Sequence, residues 1–376
     1  MRRGASEGEG GPAVLITGGA GFIGTNLAHR ILSYGGRVII LDNLQRPRVE
    51  RNLRWLRAQH AERLTVVVAD VGDARAVAGA VRQSGQVYHL AGSVPEAAGP
   101  AQADVRGALN LCEALRQHGN DVPCVFASSR LIYGPLTQLP LQPTATRWAL
   151  AEGSDEFGVD ETHPVDVRSP HARAKAAAEA VCFHYGRRFG LAITVLRLGC
   201  VYGPHQGADS EQDWLCGMVL GALRGQRLRL RGDGREVTDA LFVDDLIDGL
   251  LCAQANGPAV RGQVFNVGGG PTNTLSPREL LQIFAEIDGD APDWTTEGGA
   301  PVLQRHFVSD VRRFAAATGW RPRVGVEEGV RRLQRWLLEH RVAVEEAERI
   351  APPSFLSAEG LDLESHIPER VGSAKR

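Results

Sequence analysis

The chain has 376 residues, 43% of them hydrophobic and 23% charged, with a formal net charge of −2. That length accommodates a full α/β domain plus a smaller one, and the near-neutral balance removes any general electrostatic case for nucleic acid or an anionic membrane as partner. The six cysteines (112, 124, 182, 200, 216 and 252) include no C-x-x-C pair, which argues against a disulfide framework and a zinc site, and no run approaches the ~20 apolar residues of a membrane helix.

Residues 1–12 are polar and Gly-rich, without an apolar segment, and read as a flexible leader rather than a signal peptide. The expected location is the cytoplasm. From residue 13 strand-like runs alternate with helix-like ones. Strands are expected at 13–16, 37–41, 64–68, 87–90, 122–127 and 191–197, and helices at about 21–34, 49–60, 73–83, 101–118 and 171–189. The pattern predicts a doubly wound parallel sheet of the Rossmann type, in strand order 3-2-1-4-5-6, with ligands at the carboxyl ends of the strands. This nucleotide-binding domain covers 13–202, with some later segments returning to it. Residues 136–168, rich in Pro, Thr and acidic residues, read as a long loop or insertion near the site. A smaller C-terminal substrate lobe follows over 203–340. It has helices near 214–224, from Asp244, near 276–287 and at 326–340, and strands at 227–231, 237–243 and 263–267. Residues 341–376 read as a polar tail.

The stretch from Val14 to Gly24 organises the chain. A short apolar strand runs into glycines at 18, 21 and 24, and Phe22 and Ile23 then open a helix. One glycine permits the tight turn, another lets a pyrophosphate approach bare backbone, and the last lets helix and strand pack closely. The helix start offers N–H groups and a positive dipole end to phosphates. The next strand ends at Asp42, where a carboxylate accepts the ribose hydroxyls of NAD and repels the extra phosphate of NADP. A glycine triplet alone is weak evidence; strand, helix and Asp42 in the right places make it strong.

Further segments form a series. Asn43 follows Asp42. Asp70-Val71 follows the third strand, and Leu90-Ala91-Gly92 ends the fourth in small residues. Ser128-Ser129 and Tyr133-Gly134 end the fifth, and Ser169-Pro170-His171 with Lys175 opens the next helix. Cys200, Tyr202 and Gly203-Pro204 end the sixth, and Gly232-Asp233-Gly234, Asp239 and Asp244-Asp245 follow. Together these resemble the extended short-chain dehydrogenase/reductases, specifically the NAD-dependent epimerase/dehydratase family acting on nucleotide sugars. The resemblance covers about residues 13–340. It implies NAD as cofactor, a nucleotide-sugar or related small-molecule substrate, and a homodimer. Family members commonly dimerise through the helix carrying Lys175 and the one before it. Apolar residues at 105, 108, 109, 111, 112 and 115 allow that packing, though such a stripe is equally core.

In that family a Ser or Thr, a Tyr and a Lys four residues after the Tyr form the catalytic group. Ser129 and Lys175 stand at the first and last positions; His171 stands where the tyrosine is expected. An imidazole, with an ordinary pKa of roughly 6.5, stays neutral beside an ammonium and can accept a proton without the lysine's help. Tyr133 and Tyr202 match tyrosines that are structural or substrate-lining in the family. Other departures lie on the substrate side. Cys200 stands where Asn is usual and Thr238 where Arg is usual, with Arg235 close enough in sequence to replace it, and Asp104 stands where Asn is frequent. Arg130 and Leu131 follow Ser129 where sugar 4,6-dehydratases carry an Asp-Glu pair, which favours epimerase over dehydratase. The expected function is NAD-dependent, reversible hydride transfer at a sugar carbinol, C4 first, with Ser129, His171 and Lys175 as the catalytic set. The alternatives are an oxidoreductase acting on a non-nucleotide alcohol or ketone, and a non-catalytic NAD-bound scaffold.

Overall fold

Runs of valine, isoleucine and leucine become strands here because helices cover both faces of the sheet, so every position along a strand can be apolar. The computed structural model describes residues 11–46, 48–92, 102–118, 121–152, 157–208, 213–297 and 303–340. The leader to residue 10 and the polar tail from 341 lie outside the described residues. The first half runs β1 (Ala13–Thr17), α1 (Phe22–Ser33), β2 (Val38–Asp42), α2 (Val49–His60), β3 (Leu64–Val68), α3 (Ala74–Val81), β4 (Ser84–His89), α4 (Gln102–His118) and β5 (Cys124–Ser129). Then come β6 (Leu141–Pro143), β7 (Trp148–Leu150), α5 (Pro170–Phe189), β8 (Ile193–Leu198) and β9 (Cys200–Tyr202). The later chain adds α6 (Trp214–Leu223), β10 (Leu228–Arg231), β11 (Val237–Phe242), α7 (Val243–Ala255), α8 (Gly257–Val260), β12 (Val264–Val267) and β13 (Thr274–Leu275). It closes with α9 (Pro277–Asp288), β14 (Trp294–Glu297), β15 (His306–Phe307), α10 (Arg312–Thr318) and α11 (Val326–Glu339).

The main sheet is parallel, in the order β12-β8-β5-β4-β1-β2-β3. This is the expected 3-2-1-4-5-6 order with a seventh strand added. β12, which the sequence placed in the later run, returns to pair with β8, Val264 opposite Val195. Alternate residues of each strand serve different cores, as the pleat dictates. Ile16, Ile40, Tyr88 and Val125 pack under α1, α2 and α7. Leu15, Ile39, Val87 and Phe126 pack under α3, α4 and α5. The smaller lobe has its own core of Val219, Leu230, Phe242, Phe284 and Leu333. α7 and β12 both lie beyond residue 203, yet β12 pairs with β8 and α7 packs on the core under β1 and β2. The apolar stripe of α4 is core in its own chain: Ala108, Leu111, Cys112 and Leu115 are buried, and Leu109 alone of the four-residue-spaced set is exposed.

Residues 136–168 are more ordered than a long loop. β6 and β7 form a hairpin. Trp148 N donates to Arg235 O, and Arg147 grips the Glu279 carboxylate of α9. Further on, Val159 N donates to Val308 O at 2.7 Å. The 141–150 hairpin is thereby tied to the smaller lobe, whereas further on Glu161 Oε1 accepts from Asn266 N of β12 and Asp166 N donates to Ile132 O. Strands of three residues, one containing Pro143, carry too little periodicity to be read from sequence.

α5 is set by local chemistry. Pro170 fits the first helical position, the Ser169 hydroxyl caps Ala172 N, and Gly190 ends the helix in the left-handed region. A buried polar network then fixes it to the sheet. The Glu179 carboxylate accepts from Ser128 Oγ at 2.8 Å and from the Arg197 guanidinium. Arg197 donates on to the Tyr133 hydroxyl, which donates to Asn266 Oδ1 at 2.8 Å. Removing one partner of a buried pair strands the other's charge. Glu179→Ala should therefore cost about 3–5 kcal/mol in a chemical-denaturation experiment. A loss under about 1 kcal/mol would mean that α5 is held by packing alone.

Candidate active site

The glycine turn is fixed by close approaches. Gly18 has φ +68°, and a Cβ on it would lie 2.7 Å from Ala91 N, at the end of β4. A Cβ on Gly24 would meet Gly18 O at 2.4 Å and Gly19 Cα at 2.6 Å, so only glycine lets α1 start this close to β1. Gly21 differs. Its nearest contact would be Gly18 O at 3.2 Å, and α1 begins there without a side-chain cap. The first amides of α1, at Phe22 and Ile23, are thus exposed to a ligand crossing the turn.

Asp42 does two things at once. Its Oδ2 accepts from Ala20 N at 3.1 Å and its Oδ1 from Leu44 N at 2.9 Å. Each carboxylate oxygen keeps a lone pair for a ribose hydroxyl. Asn43 Nδ2 donates to Asp70 Oδ2 at 2.7 Å, and Asp70 Oδ1 accepts from Gly72 N. Val71 packs where a Cβ on Gly107 of α4 would lie, 2.7 Å from its Cγ2. Leu90 N and Ala91 N bond to Thr17 O and Thr17 Oγ1, which draws the β4 end against the glycine turn. Arg46, which the sequence reading did not single out, donates from Nη2 to Gly92 O at 2.6 Å.

Lys175 reaches the carboxyl ends of β4 and β5, where Ser129, expected beside it in the catalytic set, closes β5. His171 and Lys175 stand one helical turn apart on α5, both buried. Lys175 Nζ donates to Ala127 O at 3.3 Å and lies 3.6 Å from Asp104 Oδ2. Burial pushes the ammonium's pKa down, against the opposing pull of the Asp104 carboxylate. A Cβ on Gly92 would lie 2.5 Å from Nζ, so glycine there leaves the lysine its place. Ser129 closes β5, and its Oγ accepts from Leu131 N at 3.2 Å, which leaves its O–H to donate elsewhere. His89 was also missed by the sequence reading. Its Nδ1 lies 2.8 Å from Thr17 Oγ1, and burial, helped by Lys175, pushes its pKa down to about 3. It is a neutral ring at the foot of the site. The signal available for it was a polar residue closing an apolar strand.

The predicted substrate side divides. Cys200 on β9 lies beside β11, opposite Ala240. Burial pushes its thiol up to about 11. Thr238 is buried, and its Oγ1 has no hydrogen-bond partner among the described residues. Asp239 next to it is fully buried and accepts from Ser309 N and Gly270 N; burial pushes its carboxyl up to about 6. Tyr133 sits 1% exposed inside the Arg197–Asn266 network, its hydroxyl engaged on both sides. Tyr202 is equally buried and donates to Val326 O. Arg235 donates to Thr144 O and pairs with Asp233, so its guanidinium holds the 141–150 hairpin. Arg130 is the cation that instead faces Cys200 and Asp239. Its guanidinium bonds Gln304, lies 5.2 Å over the Phe307 ring, and draws both acids down against burial.

These residues fit NAD: a glycine turn whose open position is Gly21, uncapped amides on α1, a buried carboxylate at Asp42 and a buried lysine under Gly92. Among the described residues no cluster of His, Cys, Asp and Glu could hold a metal ion, and no helix is long and apolar enough to cross a membrane.

Comparison with known proteins agrees with the geometry. A model of the NAD dependent epimerase/dehydratase family matches residues 14–268. The chain is 31% identical over 346 residues to a CDP-paratose 2-epimerase of Salmonella typhi, covering 86% of this chain and 98% of that one. It is 33% identical over 325 residues to a UDP-glucose 4-epimerase of Mycolicibacterium smegmatis, covering 84% and 95%. Among solved structures, a UDP-glucose 4-epimerase of Thermotoga maritima with UDP-glucose is similar at a TM-score of 0.72, with 27% identity and coverage of 88% and 99%.

Asp42→Ala removes both a ribose acceptor and two bonds that shape the turn. NAD affinity, read by fluorescence titration, should fall at least tenfold, and the melting temperature should fall by a few degrees, since hydrogen bonds to a charged group are each worth about 1.5–3 kcal/mol. Unchanged NAD affinity would remove Asp42 from the cofactor site.

Proposed function

The chain belongs to the NAD dependent epimerase/dehydratase family, its cofactor is NAD, and on that premise we propose that it epimerises a nucleotide sugar by reversible hydride transfer at a sugar carbinol. The observation that carries this reading is the buried pair of His171 and Lys175 on one face of α5, at the strand ends where Ser129 closes β5. When bound, NAD supplies the acceptor and later the donor of a hydride. Ser129 donates its O–H to the carbinol oxygen and holds it. The His171 imidazole takes the hydroxyl proton as the C–H bond breaks, and returns it once the ketone has turned over. Lys175 would hold the nicotinamide ribose. Gly18, Gly21, Phe22, Ile23 and Gly24 cradle the pyrophosphate, Asp42 and Asn43 the adenosine ribose, and Asp70 and Val71 the adenine. Leu90, Ala91 and Gly92 give the cofactor a small-residue floor.

Epimerisation is favoured over dehydration because Arg130 and Leu131, not acids, follow Ser129. Loss of water from the sugar needs an acid and a base at that edge; inversion needs only the base and a ketone free to rotate. On the substrate side Cys200, Thr238 and Arg130 contact the nucleotide sugar. Arg130 is the anion ligand in this assignment, since among the described residues no ion pair joins it to a carboxylate, whereas Arg235 is held by Asp233 and Tyr133 lies within the network. C4 is the carbon assigned; C2 is the second reading, favoured by the 31% identity to a CDP-paratose 2-epimerase. A non-nucleotide alcohol is favoured only by the uncharged Cys200 and Thr238. The reading includes a homodimer joined through the outer faces of α4 and α5, where Leu109 is 38% exposed.

The test is to incubate the NAD-loaded protein with UDP-, CDP- and dTDP-hexoses and follow epimer formation by proton NMR, with deuterium placed at C2 or at C4. The proton couplings of the product identify the inverted carbon, and a primary isotope effect only with deuterium at that carbon shows that its hydride is the one transferred. His171→Ala should lower turnover by about 10²–10⁴ while NAD remains bound, the range for a general base. Full activity in that variant would place the base elsewhere, and absence of any epimer across the three nucleotide series would overturn the substrate class.

A further inference from the structure

We propose that Asp104 is the charge-compensating residue of this active site, and that its carboxylate beside Lys175 is what lets a neutral histidine serve at position 171 as proton acceptor. The proposal rests on the assignment of His171 made above and states what the surroundings must supply for it.

Asp104 lies in the first turn of α4, and its side chain is 3% exposed against 9% for that of Lys175. The two charged groups are 3.6 Å apart. A Cβ on Gly92 would lie 2.5 Å from Lys175 Nζ and 3.4 Å from Asp104 Oδ2, so the pair opens onto the same small space at the end of β4. Water is nearly excluded there, and each unit of net charge is costly.

Counting charge separates the two kinds of base. A tyrosine accepts a proton as phenolate, so phenolate and lysine sum to zero before transfer and to +1 after it. A histidine accepts as neutral imidazole. With the lysine alone the sum is +1 before transfer and +2 after, which an apolar cavity opposes. With Asp104 ionised it is again zero before and +1 after. Asp104 gives a histidine site the charge sequence of a tyrosine site. In the step itself the sugar O–H bond breaks and its proton goes to the imidazole. The electron pair of the neighbouring C–H bond leaves as hydride to NAD, and the carbinol becomes a ketone; the return reverses each transfer.

The other charged or titratable groups around this space are Arg46 after β2, His89 on β4 and Cys182 on α5. Asp104→Asn leaves all of them in place and changes one charge in an isosteric side chain. Its effect is read without turnover, on the NAD-loaded protein labelled with 15N-histidine, with the His171 ring assigned by its loss in His171→Gln. Asp104→Asn should lower the pKa of His171 by about one unit or more, as removal of a near opposite charge does. An unchanged value overturns the proposal, and Asp104→Ser carries the same measurement should the Asn variant fail to fold. A second arm uses whichever UDP-, CDP- or dTDP-hexose the unaltered protein epimerises. His171→Tyr alone should be nearly inactive, because the phenolate then meets a lysine already neutralised, and adding Asp104→Asn should restore at least tenfold of the rate. A double variant no faster than the single one also overturns it. Failure to epimerise any nucleotide sugar defeats the substrate reading and leaves the imidazole titration standing.

Discussion

An ammonium only 7% exposed must be answered by nearby charge or dipole, since removing it from water costs several kcal/mol. Much of the architecture around Lys175 is that answer. β5 ends with the Ala127 carbonyl turned to Nζ, and α4 begins with Asp104 in reach. Three residues past β4 stands Gly92, where any larger residue would enter the lysine's volume. His89, three residues earlier, stays neutral down to about pH 3 and adds no second cation. Four separate elements therefore meet at one atom. The helix that carries the lysine is held one turn further on by Glu179, which ties it to Ser128 and Arg197. Position and charge at the reacting end depend on a network that never touches substrate.

The cofactor end is built on the same economy of parts. Asp42 shapes the turn through Ala20 N and Leu44 N while presenting its remaining lone pairs outward. Asp42 therefore stabilises the turn, and in the assignment made above the same carboxylate would hold the ribose.

Much of this was legible in the sequence. The strands ending at Thr17, Asp42, Val68 and Ser129 and the helix from Pro170 lie within two or three residues of where apolar runs, glycines and a Ser-Pro start place them. What failed to show was pairing over distance. Val264 to Val267 reads as a strand in any context, and only the crossover through α7 makes it the partner of β8. Arg235 stands one strand step from Thr238 and was the natural replacement for a missing cation, but sequence spacing says nothing of Asp233 and Thr144, which take its guanidinium. Tyr133 matched a structural or substrate-lining tyrosine, and its hydroxyl bonds Arg197 and Asn266. Asp104 was visible as a carboxylate in an unusual place. Its meaning needed the packing of α4 on α5 that brings it to Lys175.

The substrate wall follows from the same physics. A thiol with its pKa near 11 and a buried threonine hydroxyl can hold no anion by charge, and the Asp239 carboxyl is fully enclosed. The positive charge facing this wall is Arg130, fixed by Gln304 on one side and the Phe307 ring on the other. Its neighbour in sequence is Ser129, so in the assignment made here the group that would receive the substrate's anion and the group that would polarise its carbinol share one strand end. Ser129 closes β5 and Arg130 opens the short helical turn that follows it, so both contacts are anchored where the chain leaves the sheet. Holding the anion from the smaller lobe would make the separation of those contacts depend on how closely the lobe sits. A cation just after β5 is anchored beside the sheet, where the lysine, the serine and the glycine turn already stand.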